Sequence, residues 1–332
     1  MTSKNRTILG YALLVLVTVT VTSIYFWTHN KTADNADSFM ASDVQLENPL
    51  RISQETKVCT KGDFQMSKSW IISQLPDFID VYNKRPFVSN DGGTKVMHHF
   101  ALWCMIKRLR PAYIIESGIY QGFGTWMMRQ AAPNARLILL DPRGQKLKYR
   151  DKQNQSVYLI NRDFIDFGSV DWTKYVSNPA KALVFIDDHQ SPLLRIRQAK
   201  QHGFKHLMFD DNYWMGGDVS GLKTICHFVL GEKLAKNSRY KSPKPGTKRA
   251  KQRAWTEKLR NELRNDFRQN IAVYYEFPMI WNATHANTNK GTTRNMLFNS
   301  TDGGKVLTDY GLVTLPPPTE IDGYYNIAYI QV

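Results

Sequence analysis

The stretch Tyr113–Thr125, YIIESGIYQGFGT, decides how the rest of the chain is read. Three apolar or aromatic residues lead to an acid, Glu116, and then to glycines at Gly118, Gly122 and Gly124. Glycine tolerates the left-handed backbone of a tight turn and lets backbone N–H groups come close to a ligand. A helical pattern follows over Thr125–Ala132. Strand, glycine-rich turn and helix together open a βαβ unit.

The same rhythm repeats along the chain. Short apolar runs recur at YIIE (113–116), LILLD (137–141), VYLIN (157–161), ALVFID (182–187) and HLMFD (206–210), and stretches of helical length such as Leu193–His202 lie between some of them. Such alternation predicts a doubly wound parallel α/β sheet covered on both faces, with ligands beyond the carboxyl ends of its strands. Two later runs, IAVYYEF (271–277) and YNIAYIQV (325–332), predict an antiparallel strand pair at the sheet edge. Ahead of the first strand, a helix is predicted from about Thr94, its N-cap, to Leu109 before Pro111, and a shorter one around Trp70–Ile79 is interrupted by Pro76.

The N-terminus reads differently. Ile8–Trp27 is a charge-free run of about 20 residues, enough to span a bilayer as a helix, and Lys4 and Arg6 precede it. By the positive-inside rule this reads as a signal anchor with a cytosolic tail over 1–7, a cleaved signal peptide being the alternative although its apolar region is normally shorter. It predicts a single-pass type II membrane protein whose remainder faces the lumen of the Golgi or endoplasmic reticulum. A polar stem is expected over 28–66 and the folded domain over 67–332. The net charge is +15, which points to polyanionic partners such as acidic glycans. The anchor argues against nucleic acid. A basic insertion over 232–264 carries twelve Lys and Arg against three acids. It is either a solvated surface segment or an arm that recruits an acidic polymer. The three cysteines lack metal-ligand spacing; one disulfide is open to them in an oxidising lumen, but Cys104 and Cys226, in apolar surroundings, are expected as buried thiols.

Chemistry concentrates at the predicted strand ends. After the second strand stands Asp141, placed to accept hydrogen bonds from ribose hydroxyls, and after the third Asp163, placed to reach an adenine amino group. The fourth and fifth strands each end in paired acids, Asp187 and Asp188 in ALVFIDDHQ and Asp210 and Asp211 in HLMFDDNYW. Carboxylates converging from neighbouring strand tips suit a hard cation such as Mg²⁺. Helix N-capping after each strand is the structural alternative.

In this order the motifs resemble those of class I S-adenosylmethionine (SAM)-dependent methyltransferases. The loop E-x-G-x-x-x-G-x-G is similar to that of the macrocin-type sugar O-methyltransferases and the cephalosporin-hydroxylase-like group, over about Tyr113–Trp214. The resemblance implies a Rossmann-like methyltransferase fold, with Glu116, Gly118, Gly122, Gly124, Asp141 and Asp163 toward SAM. It also implies a divalent cation on Asp187, Asp210 and Asp211. The family's general base falls on His189 here, with Asp188 in the position before it. Either could take a proton from a sugar hydroxyl; His189 could equally be a metal ligand.

The expected activity is therefore metal-assisted O-methylation of a sugar hydroxyl on a glycan or glycosylated molecule. A metal-dependent secretory glycosyltransferase shares the topology and would read IDDH as a nucleotide-sugar motif. A non-catalytic glycan-binding module on a methyltransferase scaffold is a third reading. His98 and His99 are expected as surface or packing residues. Tyr213 and Trp214 are candidates to stack on a sugar ring.

Overall fold

A computed structural model describes residues 61–153, 156–210, 212, 222–223, 225–226, 261–278, 280, 297–298, 309 and 327–332. All belong to one compact unit, Arg51–Val332. The predicted anchor at 8–27, most of the basic insertion and Asp211, Tyr213 and Trp214 lie outside the described residues. Among the described residues no helix is long and apolar enough to cross a membrane.

Seven strands form one sheet: β1 Tyr113–Ser117, β2 Arg136–Asp141, β3 Ser156–Ile160, β4 Ala182–Ile186, β5 His206–Phe209, β6 Val273–Glu276 and β7 Ala328–Gln331. Their order is β3-β2-β1-β4-β5-β7-β6. The first five are parallel, and β7 runs antiparallel to both β5 and β6. The predicted antiparallel pair is therefore present, and β7 fills the place beside β5 while β6 takes the edge. This is the Rossmann-like methyltransferase arrangement that the loop's resemblance implied.

Among the described residues, the sheet is flanked by the helices α1 Lys68–Ser73, α2 Leu75–Asn83, α3 Val96–Leu109, α4 Phe123–Ala131, α5 Pro192–Gln201 and α6 at 261–270. Pro76 sits in the first turn of α2, where its missing N–H costs nothing, so it starts a helix rather than breaking one. Thr94 does not cap α3. Lys95 takes that place and its backbone N–H donates to Nδ1 of His98 at 3.0 Å. α3 ends where Arg110 turns left-handed, φ 48°, immediately before Pro111.

Adjacent strand residues face opposite layers. Ile114, Leu137, Leu139, Leu183, Phe185 and Met208 pack with α2, α3 and α4. Ile115, Ile138, Leu140, Val184, Ile186 and Leu207 pack on the other side with Leu193, Ile196 and Phe267 of α5 and α6. The near-continuous apolar strands follow from this double burial.

The packed domain begins before Ser67. Lys61 pairs with Tyr274 of β6 through two backbone hydrogen bonds. Its ammonium donates to the Arg268 carbonyl at 2.7 Å, where the α6 macrodipole favours a cation. Phe64 packs on the rings of Tyr275 and Tyr329. Residues 61–66, read as stem, thus belong to the sheet edge. Cys226 is not a thiol as expected: it is disulfide-bonded. Cys104 is a free, fully buried thiol, and Cys59, the third cysteine, lies outside the described residues.

Candidate active site

The β1–α4 loop sits at the point where the strand order reverses, between β1 and β4. In doubly wound sheets a crevice opens there beyond the carboxyl strand ends. Gly118 (φ 96°), Tyr120 (φ 51°) and Gly122 (φ 88°) all adopt left-handed backbone. A Cβ on Gly118 would stand 2.0 Å from the Asp187 carbonyl oxygen, and one on Gly122 2.3 Å from that of Tyr149. These two glycines are required by the close approach of the chain's own backbone. A Cβ on Gly124 would instead strike the Glu116 carboxyl, 2.4 Å from Oε1.

Asp141, at the tip of β2, organises this loop. Its Oδ2 accepts the N–H groups of Ile119 at 3.0 Å and Tyr120 at 2.8 Å, and its Oδ1 accepts that of Arg143 at 2.6 Å. The carboxylate thus anchors three backbone donors. It keeps 7 % of its surface exposed. Glu116 is buried beneath the loop and receives the Thr125 hydroxyl. Burial pushes its carboxyl up to about 8; the Thr125 bond opposes the rise and the nearby Asp141 charge adds to it. Glu116 is therefore predominantly neutral at pH 7. Asp163 is exposed on the turn Asn161–Asp163 after β3, and among the described residues no hydrogen bond joins it to the loop.

Asp187 and Asp210 are the first residues beyond β4 and β5 and extend the ladder between neighbours. The Asp187 N–H donates to the Ser117 carbonyl at 2.8 Å and the Asp210 N–H to that of Ile186 at 3.0 Å. Since Ile186 lies opposite Phe209, the two aspartates follow in register on adjacent strand tips. Asp210 is buried, and its Oδ1 is 3.8 Å from Nδ1 of His98. That nitrogen also accepts the Lys95 N–H at 3.0 Å, so Asp210 and the start of α3 meet at one ring. Among the described residues no three His, Cys, Asp or Glu side chains converge as a metal-holding group.

Asp188, one of the two candidate bases, has polar partners on both oxygens. Its Oδ2 accepts the Ser117 hydroxyl at 2.7 Å and Nε of Arg195 at 2.8 Å, while Oδ1 accepts the Gln190 N–H at 3.2 Å. Arg195 then grips Asp166 with two nitrogens, at 2.9 and 2.7 Å. Burial raises the Asp188 carboxyl, and the Arg195 charge and Ser117 hydroxyl pull it down. A carboxylate with both oxygens committed fastens strand tips together and is poorly placed to accept a proton from an acceptor. His189 is exposed and adopts φ 55°, a conformation rare outside glycine and enriched at functional sites.

Sequence reading missed several of these partners. His98 and His99 are both 1 % exposed, and His99 shares a hydrogen bond with Thr94 at 2.8 Å and meets the Phe123 ring edge-on. Burial and the neighbouring His98 and Lys95 hold His99 well below the usual range, so it is neutral. Just past Asp210, Asn212 donates to the Tyr274 hydroxyl at 2.9 Å and accepts the Lys223 N–H at 2.6 Å. Tyr274 donates to Glu276 at 2.7 Å, and the Lys223 ammonium lies 3.5 Å from that carboxyl. These buried groups tie Asn212 and Lys223 to β6.

No family model matches the sequence, and no curated protein matches it. Solved structures do. The O-methyltransferase from Bacillus cereus in complex with SAH (S-adenosylhomocysteine) aligns with a TM-score of 0.33 at 11% identity, covering 91% of this chain and 99% of that one. TomG from Streptomyces achromogenes, an O-methyltransferase involved in tomaymycin synthesis and bound to SAM, aligns with a TM-score of 0.32 at 11% identity, over 91% and 97%. SAH-bound PaMTH1 from Podospora anserina aligns with a TM-score of 0.33 at 10% identity, over 81% and 98%. Likeness at such identity concerns the fold and assigns no residue a role.

Proposed function

We propose that this chain is a SAM-dependent O-methyltransferase that methylates a sugar hydroxyl with the help of a divalent cation. The observation that carries the reading is the β1–α4 loop pinned to Asp141 at the switch point between β1 and β4. Backbone, glycines and a strand-tip carboxylate are brought together where a doubly wound sheet binds its ligand. Asp141 retains an exposed edge for ribose hydroxyls. Glu116, neutral and buried, supports the loop from below rather than meeting the cofactor as a charge.

SAM, when bound, supplies an electrophilic methyl group; the acceptor oxygen takes it, the S–CH₃ bond breaks, and the hydroxyl proton must leave. Asp187 and Asp210 offer hard oxygen donors from adjacent strand tips, the kind that Mg²⁺ favours, with Asp211 as the third. Their register supports a shared cation, whose chemistry there would be to lower the pKa of a bound hydroxyl. With Asp188 committed to Ser117 and Arg195, we assign proton removal to His189. The N-terminal run 8–27 supports placing this activity in the lumen of the secretory pathway, where glycans are the accessible hydroxylated acceptors.

Isothermal titration with SAH, with and without Mg²⁺, tests the reading. Saturable SAH binding that Asp141→Ala weakens supports it. Binding of a UDP-sugar in its place would transfer the chain to glycosyl transfer and end this proposal.

A further inference from the structure

We infer that the segment Gly144–Arg150 forms a cationic track on which an acidic polysaccharide acceptor lies as it approaches the β1–α4 loop; this rests on the methyl-transfer reading and names the acceptor's chemical class. Between Pro142 and Gln153 the chain exposes Arg143, Lys146, Lys148, Arg150 and Lys152. The one acid among them, Asp151, is buried against Arg129 and Ser156 and contributes no exposed negative charge.

The track is built and not merely basic. Lys146 closes the 3-10 turn Gly144–Lys146, and beyond it Leu147 and Tyr149 turn inward onto the core while Lys148 and Arg150, like Lys146, are exposed. Each outward cation lies over an aromatic ring: Lys146 Nζ 5.2 Å from the Tyr120 centroid, Lys148 Nζ 5.4 Å from Phe87, and Arg150 Cζ 4.2 Å from Tyr158. These contacts restrict long side chains that would otherwise lose more freedom on binding. Three exposed cations thus stand at every second residue. A lone sulfate or carboxylate cannot meet all three, whereas a polymer with a repeating charge can.

Position ties the track to the proposed site. The N–H groups of Lys148 and Tyr149 both donate to the Gln121 carbonyl at 3.0 Å, and Gly122 packs against the Tyr149 carbonyl. The track is thus fastened to the glycine-rich loop, and Tyr120 belongs to both. Asp91 and Asp163, exposed on neighbouring turns, bound it with negative charge. A luminal domain meets sulfated or uronate-bearing glycans rather than nucleic acid, and a sugar acceptor supplies both the anionic chain and the hydroxyl to be methylated.

The test uses the full chain and a fluorescently labelled heparin oligosaccharide, titrated at several salt concentrations. Lys146→Gln with Lys148→Gln should weaken binding about tenfold near physiological salt and lower the slope of log K against log salt by about two, one per cation removed. Lys146→Arg with Lys148→Arg should restore both. SAH titration of each variant reports whether the fold and the loop are intact. The inference falls if the Gln pair binds the oligosaccharide as tightly as the parent. It also falls if the loss follows instead from neutralising Lys241, Lys244, Lys248 and Lys251. Tighter capture of single-stranded DNA or of phosphatidylserine vesicles than of the oligosaccharide would overturn it as well. Oligosaccharide binding in a chain that fails to bind SAH would bring down the methyl-transfer reading, and the acceptor role with it. SAH binding without oligosaccharide binding would bring down the track alone.

Discussion

Arg195 donates through Nε to the Asp188 carboxylate at 2.8 Å while its other nitrogens hold Asp166. One buried guanidinium thereby joins α5, the β4 tip and the turn before Phe167, and through Asp188 it reaches Ser117 at the end of β1. The two strand tips that flank the switch point are fixed by a single ion-pair chain.

Removing that guanidinium leaves the largely buried Asp188 carboxylate without its cation. Arg195→Met should destabilise the domain by about 3–5 kcal/mol, the usual cost of breaking a buried pair from one side. Arg195→Lys should recover only part of it, because an ammonium cannot copy the fork that holds Asp166 and Asp188 together. Urea unfolding followed by tryptophan fluorescence reads both. A loss under 1 kcal/mol for the Met variant would contradict the anchoring role.

Glu116 makes the stability pH-dependent with a defined sign. Its folded pKa, about 8, lies above the ordinary carboxylate value of 4.5. Between those values the folded state binds more protons than the unfolded one, so stability falls as pH rises from about 4.5 to 8 and levels off above. Glu116→Gln keeps an acceptor for the Thr125 hydroxyl and removes the ionisation. Its stability relative to the parent should therefore improve by up to a few kcal/mol between pH 5 and 9. Parallel melting curves across that range suffice, and a pH-independent difference would show that Glu116 ionises normally.

Asp141→Asn tests the loop anchor. The carboxylate takes two N–H donors on Oδ2 and one on Oδ1; an amide has one acceptor oxygen, and its NH₂ faces a donor. At least one backbone N–H loses its partner, a cost of about 1–3 kcal/mol. SAH affinity should fall at least tenfold while the far-ultraviolet circular dichroism stays native. Unchanged affinity would show that the loop forms without Asp141.

The parallel strands themselves were legible, though not their order, because strands buried on both faces must be apolar throughout, which makes runs such as Leu137–Leu140 conspicuous. Glycines 118, 122 and 124 were legible as a turn, but their physical reason was not: each makes room for an atom of a distant segment or a neighbouring strand residue, which spacing cannot reveal. Asp188 resembled its neighbour Asp187 in sequence and parts from it in space because its partner, Arg195, sits one turn into the next helix. His98 looked like an ordinary helix residue. Its place beside Asp210 depends on how α3 packs beneath the tip of β5, a long-range contact with no local signature.

The division of labour between Asp210 and His189 is the most demanding expectation. Asp210 is buried at a strand tip, in register with Asp187, whereas His189 is exposed on the turn after β4. If the carboxylates hold the cation, Asp210→Asn should abolish Mg²⁺ binding measured by calorimetry, with SAH binding retained at the separate β1–α4 loop. If His189 removes the proton, His189→Ala should keep both Mg²⁺ and SAH affinities and lose about 10²–10⁴ in turnover, the range of a general base. Full turnover in His189→Ala would remove it as the base. Loss of Mg²⁺ binding in that variant would make it a ligand instead.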